Sequence, residues 1–137
     1  MASDLQFTQS NAIKWKGKTK IYKFDPHPDV YNEEFIVGIA GSANDLITVS
    51  EFFYNPEAFK RVPKVNCNGL VLTKSGRIYT FTELDKWLYM DVPFAAVGSG
   101  SPAALGALHA GASPKEAVQA AMKVDPFTGL GIKQLSF

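Results

Sequence analysis

The chain has 137 residues, of which 46% are apolar, 12% aromatic and 20% charged, so we expect one folded domain. Fourteen basic and thirteen acidic residues leave a net charge of +1, which argues against a nucleic-acid-binding protein. No apolar run approaches the about 20 residues that span a bilayer, and the N-terminus MASDLQFTQS lacks a signal-peptide pattern. We therefore expect a cytoplasmic protein that makes no contact with a membrane. One cysteine and two histidines exclude a disulfide framework and a structural zinc site, and we expect no metal and no cofactor.

The first part of the sequence predicts strands and then a helix. Apolar residues alternate through residues 1–24, which is typical of a strand pair or an irregular β-ribbon. After a Pro-rich turn, the continuous apolar run at residues 35–40 predicts a strand that is buried on both faces. Ser42 and Asp45 have capping-box spacing, and the following apolar residues recur at helical spacing, so a helix should end before Asn55.

The middle of the sequence predicts a meander of strands. Residues 69–73 and 78–82 flank a short polar turn and predict a hairpin. Residues 87–90 predict a short strand or an edge segment, and residues 94–97, with the sequence FAAV, predict another buried strand.

Two consecutive helices and a strand should complete the fold. Pro102 sits near the start of an Ala-rich helix that Gly111 is placed to end, and Ser113 begins a second capping box. Residues 129–135 predict a final strand. Because hairpins dominate and two helices follow each other directly, the order favours an α+β fold with antiparallel sheets.

The glycine-rich turn at residues 97–106 has two interpretations. Gly98, Gly100 and Ala103 satisfy the G-x-G-x-x-A pattern of dinucleotide-binding turns. Such a turn needs a parallel strand after its helix, whereas here a second helix follows. The context favours a tight strand-to-helix turn in which glycine permits close packing, and nucleotide binding is the alternative.

A run of lysines near the N-terminus also has two interpretations. The lysines alternate around Trp15, and they are Lys14, Lys16, Lys18 and Lys20. Basic residues interleaved with an aromatic ring suit single-stranded nucleic acid. Solvated lysines on one face of a strand are the commoner explanation, and we expect no nucleic-acid partner.

Five separated motifs resemble, in the same order, those of the proteasome β-subunit family and its bacterial heat-shock ring relative. They are Asp4, Lys20, the segment GIAGS at 38–42, the segment GSG at 98–100 and the segment DPFTG at 125–129. Both relatives are N-terminal nucleophile hydrolases. The resemblance implies a single domain over residues 1–137, folded as an α+β, four-layer α/β/β/α sandwich of two antiparallel sheets. It also implies a homo-oligomer, and the small size is similar to compact members carried by bacteria and phages.

The resemblance implies specific roles for seven residues. In that family an N-terminal threonine attacks the substrate, and its own α-amine, which titrates near 7.7–8.0, is the base. By resemblance, Lys20 is the ammonium that lowers the pKa of this amine, Asp4 is its carboxylate partner, and the backbone N–H of Gly41 faces the oxyanion. The remaining residues form a polar network or line the substrate pocket: Ser99, Asp125 and Thr128 in the network, and Ile39 in the pocket.

The sequence departs from this family at its start. The family's first strand, which carries the threonine, has no counterpart ahead of Met1; Thr8 lies beyond the acid, and Ser3 is adjacent to it. Three explanations stay open: a start upstream of Met1, a truly absent first strand, or a likeness of fold only. We expect a threonine-type peptidase or amidohydrolase subunit that acts on a peptide or protein substrate and is inactive as this chain. The alternative is a non-catalytic structural or assembly protein with the same sandwich.

Overall fold

The computed structural model describes residues 1–9, 13–17 and 19–137, without the side chains of residues 7–9 and 13–16. Thr8, Trp15 and the lysines at 14, 16 and 18 therefore have side chains outside the described part. The described strands are β1 (Ala2–Asp4), β2 (Gln6–Gln9), β3 (Ile13–Lys16), β4 (Ile21–Phe24), β5 (Phe35–Gly41), β6 (Cys67–Thr73), β7 (Ile78–Glu83), β8 (Lys86–Met90) and β9 (Ile132–Gln134). The helices are α1 (Ala43–Tyr54), α2 (Ser101–His109) and α3 (Pro114–Val124), and a single 3-10 turn spans Pro56–Ala58.

An antiparallel sheet of five strands, in the order β4-β5-β6-β7-β8, forms the larger layer. Its second strand, β5, is buried from Phe35 to Ile39, as expected of an apolar run covered on both faces. Strand β6 alternates between buried and less buried residues, so its two faces meet different surroundings. The sheet therefore has one face packed against α1 and a second face turned toward the rest of the fold.

Helix α1 covers the first face of this sheet. Its capping box is complete, because the Ser42 hydroxyl accepts the Asp45 N–H and the Asp45 carboxylate accepts the Ser42 N–H. The side chains that it buries pack with apolar residues of the sheet in one core, which also holds Phe24, Phe35 and Trp87. This aromatic-rich core fixes α1 and the larger sheet as one half of the structure.

The other half consists of short strands and two helices. Strand β1 pairs with β9 in antiparallel register, with Asp4 opposite Ile132, and β2 pairs with β3. Helix α3 packs on β1 and β9 and lies against α2, where Ala104, Ala117 and Ala121 form a second, smaller core. The layers are therefore α1, the large sheet, the short strands, and the α2–α3 pair, which confirms the α+β sandwich of antiparallel sheets.

Most elements match the sequence-based expectations, and one does not. Both capping boxes, the buried strand at 35–40 and the 69–82 hairpin are confirmed. The strand expected at residues 94–97 is absent, because this segment joins no ladder in the described structure. None of the described helices is both long and apolar enough to cross a bilayer.

Candidate functional site

An ion pair joins the end of β1 to the residue that precedes β4. Lys20 Nζ lies 2.9 Å from Asp4 Oδ1, and the two side chains are only 16% and 12% exposed. The second oxygen, Asp4 Oδ2, accepts the backbone N–H of Gln6 at 3.0 Å and that of Gly129 at 3.1 Å. Because the carboxylate receives one ammonium and two amides, its orientation is fixed.

A second carboxylate, Asp125, ends helix α3 close to this pair. Its Oδ2 accepts the hydroxyls of Ser99 at 2.7 Å and Thr128 at 2.5 Å, while Oδ1 accepts the Phe127 N–H at 3.3 Å. Burial opposes ionisation, but these hydrogen bonds and the charge of Lys20 outweigh it and lower the pKa of Asp125. Lys20 therefore acts electrostatically on two carboxylates, of which Asp4 is the one in contact.

The loop between α3 and β9 connects the two carboxylates. Thr128 donates its hydroxyl to Asp125, and the next residue, Gly129, donates its N–H to Asp4. A methyl group at Gly129 would lie 2.7 Å from Gln6 Oε1, so glycine permits this close approach. Residues 125–129, the segment DPFTG, thus hydrogen-bond to both carboxylates and fix their positions relative to each other.

The glycines of the GSG turn also allow close packing. Gly98 has φ +99°, a backbone conformation that favours glycine. A methyl group at Gly100 would lie 2.7 Å from Thr128 Oγ1 and 3.0 Å from Ala121 Cβ. Glycine at position 100 therefore lets the start of α2 approach the Asp125–Thr128 pair, as the tight-turn interpretation expects.

These groups surround a cavity of about 1320 Å³ between the larger sheet and the α2–α3 pair. Among the seven predicted site residues, those that line it are Asp4, Lys20, Ile39, Gly41, Ser99 and Thr128. Asp125 lies behind Ser99 and Thr128, to which it is hydrogen-bonded. Ile39 is 4% exposed and belongs to the core on the α1 side, so its role in a substrate pocket stays a prediction.

Sequence reasoning missed one residue of this site, Gln6. Gln6 is 5% exposed, and its Nε2 donates to the Pro126 carbonyl at 2.7 Å, which ties β2 to the 125–129 loop. The available signal was the spacing of Asp4 and Gln6, because an aspartate often accepts the N–H two residues later. The Oγ of Ser3, the residue next to Asp4, is buried and has no hydrogen-bond partner among the described residues.

The chain has the fold of several solved structures. It superposes on HslV from Trypanosoma brucei with a TM-score of 0.68 and 17% identity, over 96% of this chain and 88% of that one. It superposes on Anbu, the ancestral beta-subunit, from Yersinia bercovieri with a TM-score of 0.68 and 12% identity, over 96% and 74% of the two chains. It superposes on the subunit in the helical assembly of the Anbu complex from Pseudomonas aeruginosa with a TM-score of 0.65 and 13% identity, over 96% of this chain and 73% of that one.

The likeness is one of fold. Identities of 12–17% carry no residue-level assignment, and the TM-scores of 0.68 show a shared sandwich fold. No protein-family model matches the sequence, and no curated protein matches it either.

Proposed function

We propose that this chain is a single-domain, proteasome-like subunit of the N-terminal-threonine peptidase or amidohydrolase type, acting on a peptide or protein substrate. Residues 1–137 supply the groups that would activate an N-terminal amine, but the sequence places no threonine ahead of Asp4. This chain alone is therefore inactive in the proposal. The reaction needs no metal and no cofactor, since its base is an amine of the protein.

One observation carries the proposal: a poorly solvated ammonium is held at the wall of a large cavity. Lys20 and Asp4 are in contact at 2.9 Å, and both line the cavity. An α-amino group placed next to such an ammonium would have a lowered pKa, because a nearby like charge disfavours its protonated form. That amine would be neutral near pH 7 and could accept the proton of a neighbouring hydroxyl.

The other predicted residues have compatible chemistry. Ser99, Asp125 and Thr128 form a hydrogen-bonded group beside the ion pair, suited to hold a protonated amine through its polar oxygens. We assign the backbone N–H of Gly41 to the oxyanion and the neighbourhood of Ile39 to a substrate side chain.

A threonine-led strand fused ahead of Met1 tests the proposal directly. We expect this fusion to cleave fluorogenic peptides, and we expect Lys20→Ala to reduce turnover by about 100-fold or more, the usual range for acid–base groups. The matched control is Lys23→Ala on β4. Lys23 Nζ lies 3.4 Å from Glu34 Oε1, and Lys23 does not line the cavity. Equal turnover by the Lys20→Ala and Lys23→Ala fusions would refute the proposed activation.

A non-catalytic assembly role is the second candidate, and the outer strand β8 favours it. β8 ends the larger sheet, and its Leu88 and Tyr89 are 68% and 53% exposed. An exposed apolar edge strand tends to pair with another chain. In either function we propose a homo-oligomer, in keeping with the helical assembly described for Anbu. Light scattering after size exclusion would give the mass, and a monomer at micromolar concentration would count against this part.

A further inference from the structure

Two loops that pack against the aromatic-rich core bring three metal-ligating side chains together. His27 and Asp29 lie in the turn between β4 and β5, and Glu57 lies in the 3-10 turn that follows α1. One ligand atom from each of these side chains lies within 4.8 Å of the other two. None of the three residues lines the cavity, so this cluster is separate from the proposed peptidase site.

The backbone around the three side chains is held by local hydrogen bonds. The His27 N–H donates to the Tyr31 carbonyl at 2.8 Å, and the Tyr31 N–H donates back to the His27 carbonyl at 2.9 Å. In the other loop, the Phe59 N–H donates to the Pro56 carbonyl at 3.2 Å. Tyr31 and Phe59 also pack against the aromatic-rich core. A cation would therefore bind to donors on a fixed backbone, and binding would order only their side chains.

The two carboxylates of the cluster have no basic partner in the described part of the chain. Neither Asp29 nor Glu57 belongs to any of the described salt bridges, and both side chains are exposed. Two carboxylates this close repel each other when both are ionised. Water screens part of this repulsion, and a divalent cation bound to both groups would replace it with attraction.

The imidazole of His27 adds a nitrogen ligand. The Asp29 N–H donates to His27 Nδ1 at 3.2 Å, which orients the ring in the turn. A metal at Nδ1 would replace this hydrogen bond, and a metal at Nε2 would require the ring proton on Nδ1, so either mode releases the exposed Asp29 N–H to water. Donors around a tetrahedral Zn²⁺ at about 2.0–2.2 Å lie about 3.4 Å from one another. Rotation of the two exposed carboxylate side chains closes the difference from 4.8 Å without disturbing the core.

This set of donors favours zinc over the hard divalent cations. Zn²⁺ binds imidazole nitrogen together with carboxylate oxygen, whereas Mg²⁺ and Ca²⁺ are held by oxygen ligands. One cysteine and two histidines exclude a zinc site made of those residue types alone, but carboxylates also ligate zinc. Three protein ligands leave the fourth position to a water molecule.

We propose that His27, Asp29 and Glu57 form a surface binding site for one Zn²⁺ ion, with water as the remaining ligand. The bound ion joins the turn between β4 and β5 to the 3-10 turn after α1. It binds only where both loops are folded and therefore stabilises the folded chain. The site is independent of the proposed peptidase activity, since it shares no residue with the cavity.

Isothermal titration calorimetry of the metal-free protein with zinc chloride tests the proposal. We expect one Zn²⁺ per chain, bound more weakly than in closed four-ligand sites because only three protein groups bind it. His27→Gln and Glu57→Gln should each weaken binding by about tenfold or more, since even the loss of a group that only orients a ligand has an effect of this size. Mg²⁺ in large excess should not displace the zinc.

The matched controls remove the same chemical groups elsewhere. His109→Gln removes the other histidine, which contacts the Phe94 ring at the end of α2, and Asp91→Asn removes an exposed carboxylate. Both controls should bind zinc as the unmodified protein does, because neither residue belongs to the cluster. Zinc at about 100 times its Kd should raise Tm by about 3 °C or more in the unmodified protein and in both controls, but not in Glu57→Gln.

The position of the ion is measured by NMR. Zinc should shift the amide signals of residues 27–31 and 56–58 and leave those of residues 98–100 and 125–129 in place. No saturable binding, equal losses in His27→Gln and His109→Gln, or unchanged affinity in Glu57→Gln would overturn the proposal. Glu57 is exposed, so its variant keeps the test decisive where His27→Gln alters the turn. Shifts confined to Cys67 and its neighbours would assign the zinc to the thiol and would also overturn it.

Discussion

Replacing Asp4 should be more damaging than breaking its ion pair alone. In Asp4→Ala, Lys20 loses its contact at 2.9 Å, and the backbone N–H groups of Gln6 and Gly129 lose their acceptor. Because the side chain is 12% exposed, water replaces these bonds poorly, and we expect a loss of about 3–5 kcal/mol in the free energy of unfolding. Asp4→Asn keeps one carbonyl oxygen for both N–H groups and should cost about 1–2 kcal/mol.

Urea unfolding followed by circular dichroism measures both variants, with Asp91→Ala as a control at an exposed position that should change stability by less than about 0.5 kcal/mol. A double-mutant cycle of Asp4→Asn with Lys20→Met isolates the ion pair, and its coupling should be about 1–2 kcal/mol. Equal losses for Asp4→Ala and Asp4→Asn would refute the reasoning, because they would show that the two backbone bonds to the carboxylate contribute nothing.

Three further outcomes follow from the same contacts. Burial opposes ionisation of Asp125, but its hydrogen bonds outweigh burial and lower its pKa below the ordinary 3.8. The ionised carboxylate therefore stabilises the folded protein above pH 3.8, and this stabilisation is lost as the pH falls through the folded pKa. Asp125→Asn should remove this dependence and flatten the acid side of a plot of urea midpoint against pH. Gly100→Ala should lower the free energy of unfolding by about 1–3 kcal/mol, because the added methyl group would crowd Thr128. In the same urea assay Gly106→Ala should stabilise α2 by about 0.5–1 kcal/mol, because its added methyl group would meet no described atom within 4 Å outside the helix backbone. Burial raises the pKa of the Cys67 thiol to about 11. Cys67 should therefore react slowly with a disulfide reagent at pH 8 until urea exposes the thiol. Fast labelling of the folded protein would contradict the burial of Cys67.

Local signals in the sequence were sufficient for most helices and for the larger sheet. The serine–acid capping boxes at Ser42 and Ser113 fix both helix starts through bonds within three residues, so no distant contact is needed to predict them. The apolar run of β5 predicts burial on both faces for the same reason, since its composition alone excludes an exposed face.

The segment at 94–97 was predicted wrongly because a strand needs a partner as well as suitable residues. FAAV has strand-forming character, but the described structure offers it no neighbouring ladder. The contact of Asp4 with Lys20 was likewise beyond spacing rules, because the intervening residues are not a simple turn. The Asp4–Lys20 contact was expected from the family resemblance alone. The only sequence signal for Gln6, which lies on β2 beside the site, was its position two residues after Asp4.

The pH profile of kcat/KM for the threonine-led fusion tests most directly whether Lys20 activates an N-terminal amine. We expect a rise governed by that amine, with an apparent pKa below the ordinary 7.7–8.0, because the ammonium of Lys20 disfavours the protonated amine. Replacing Lys20 by Met should move this pKa upward and reduce the rate. An unchanged profile and rate in the Lys20→Met variant would contradict the claim that this ammonium activates the site.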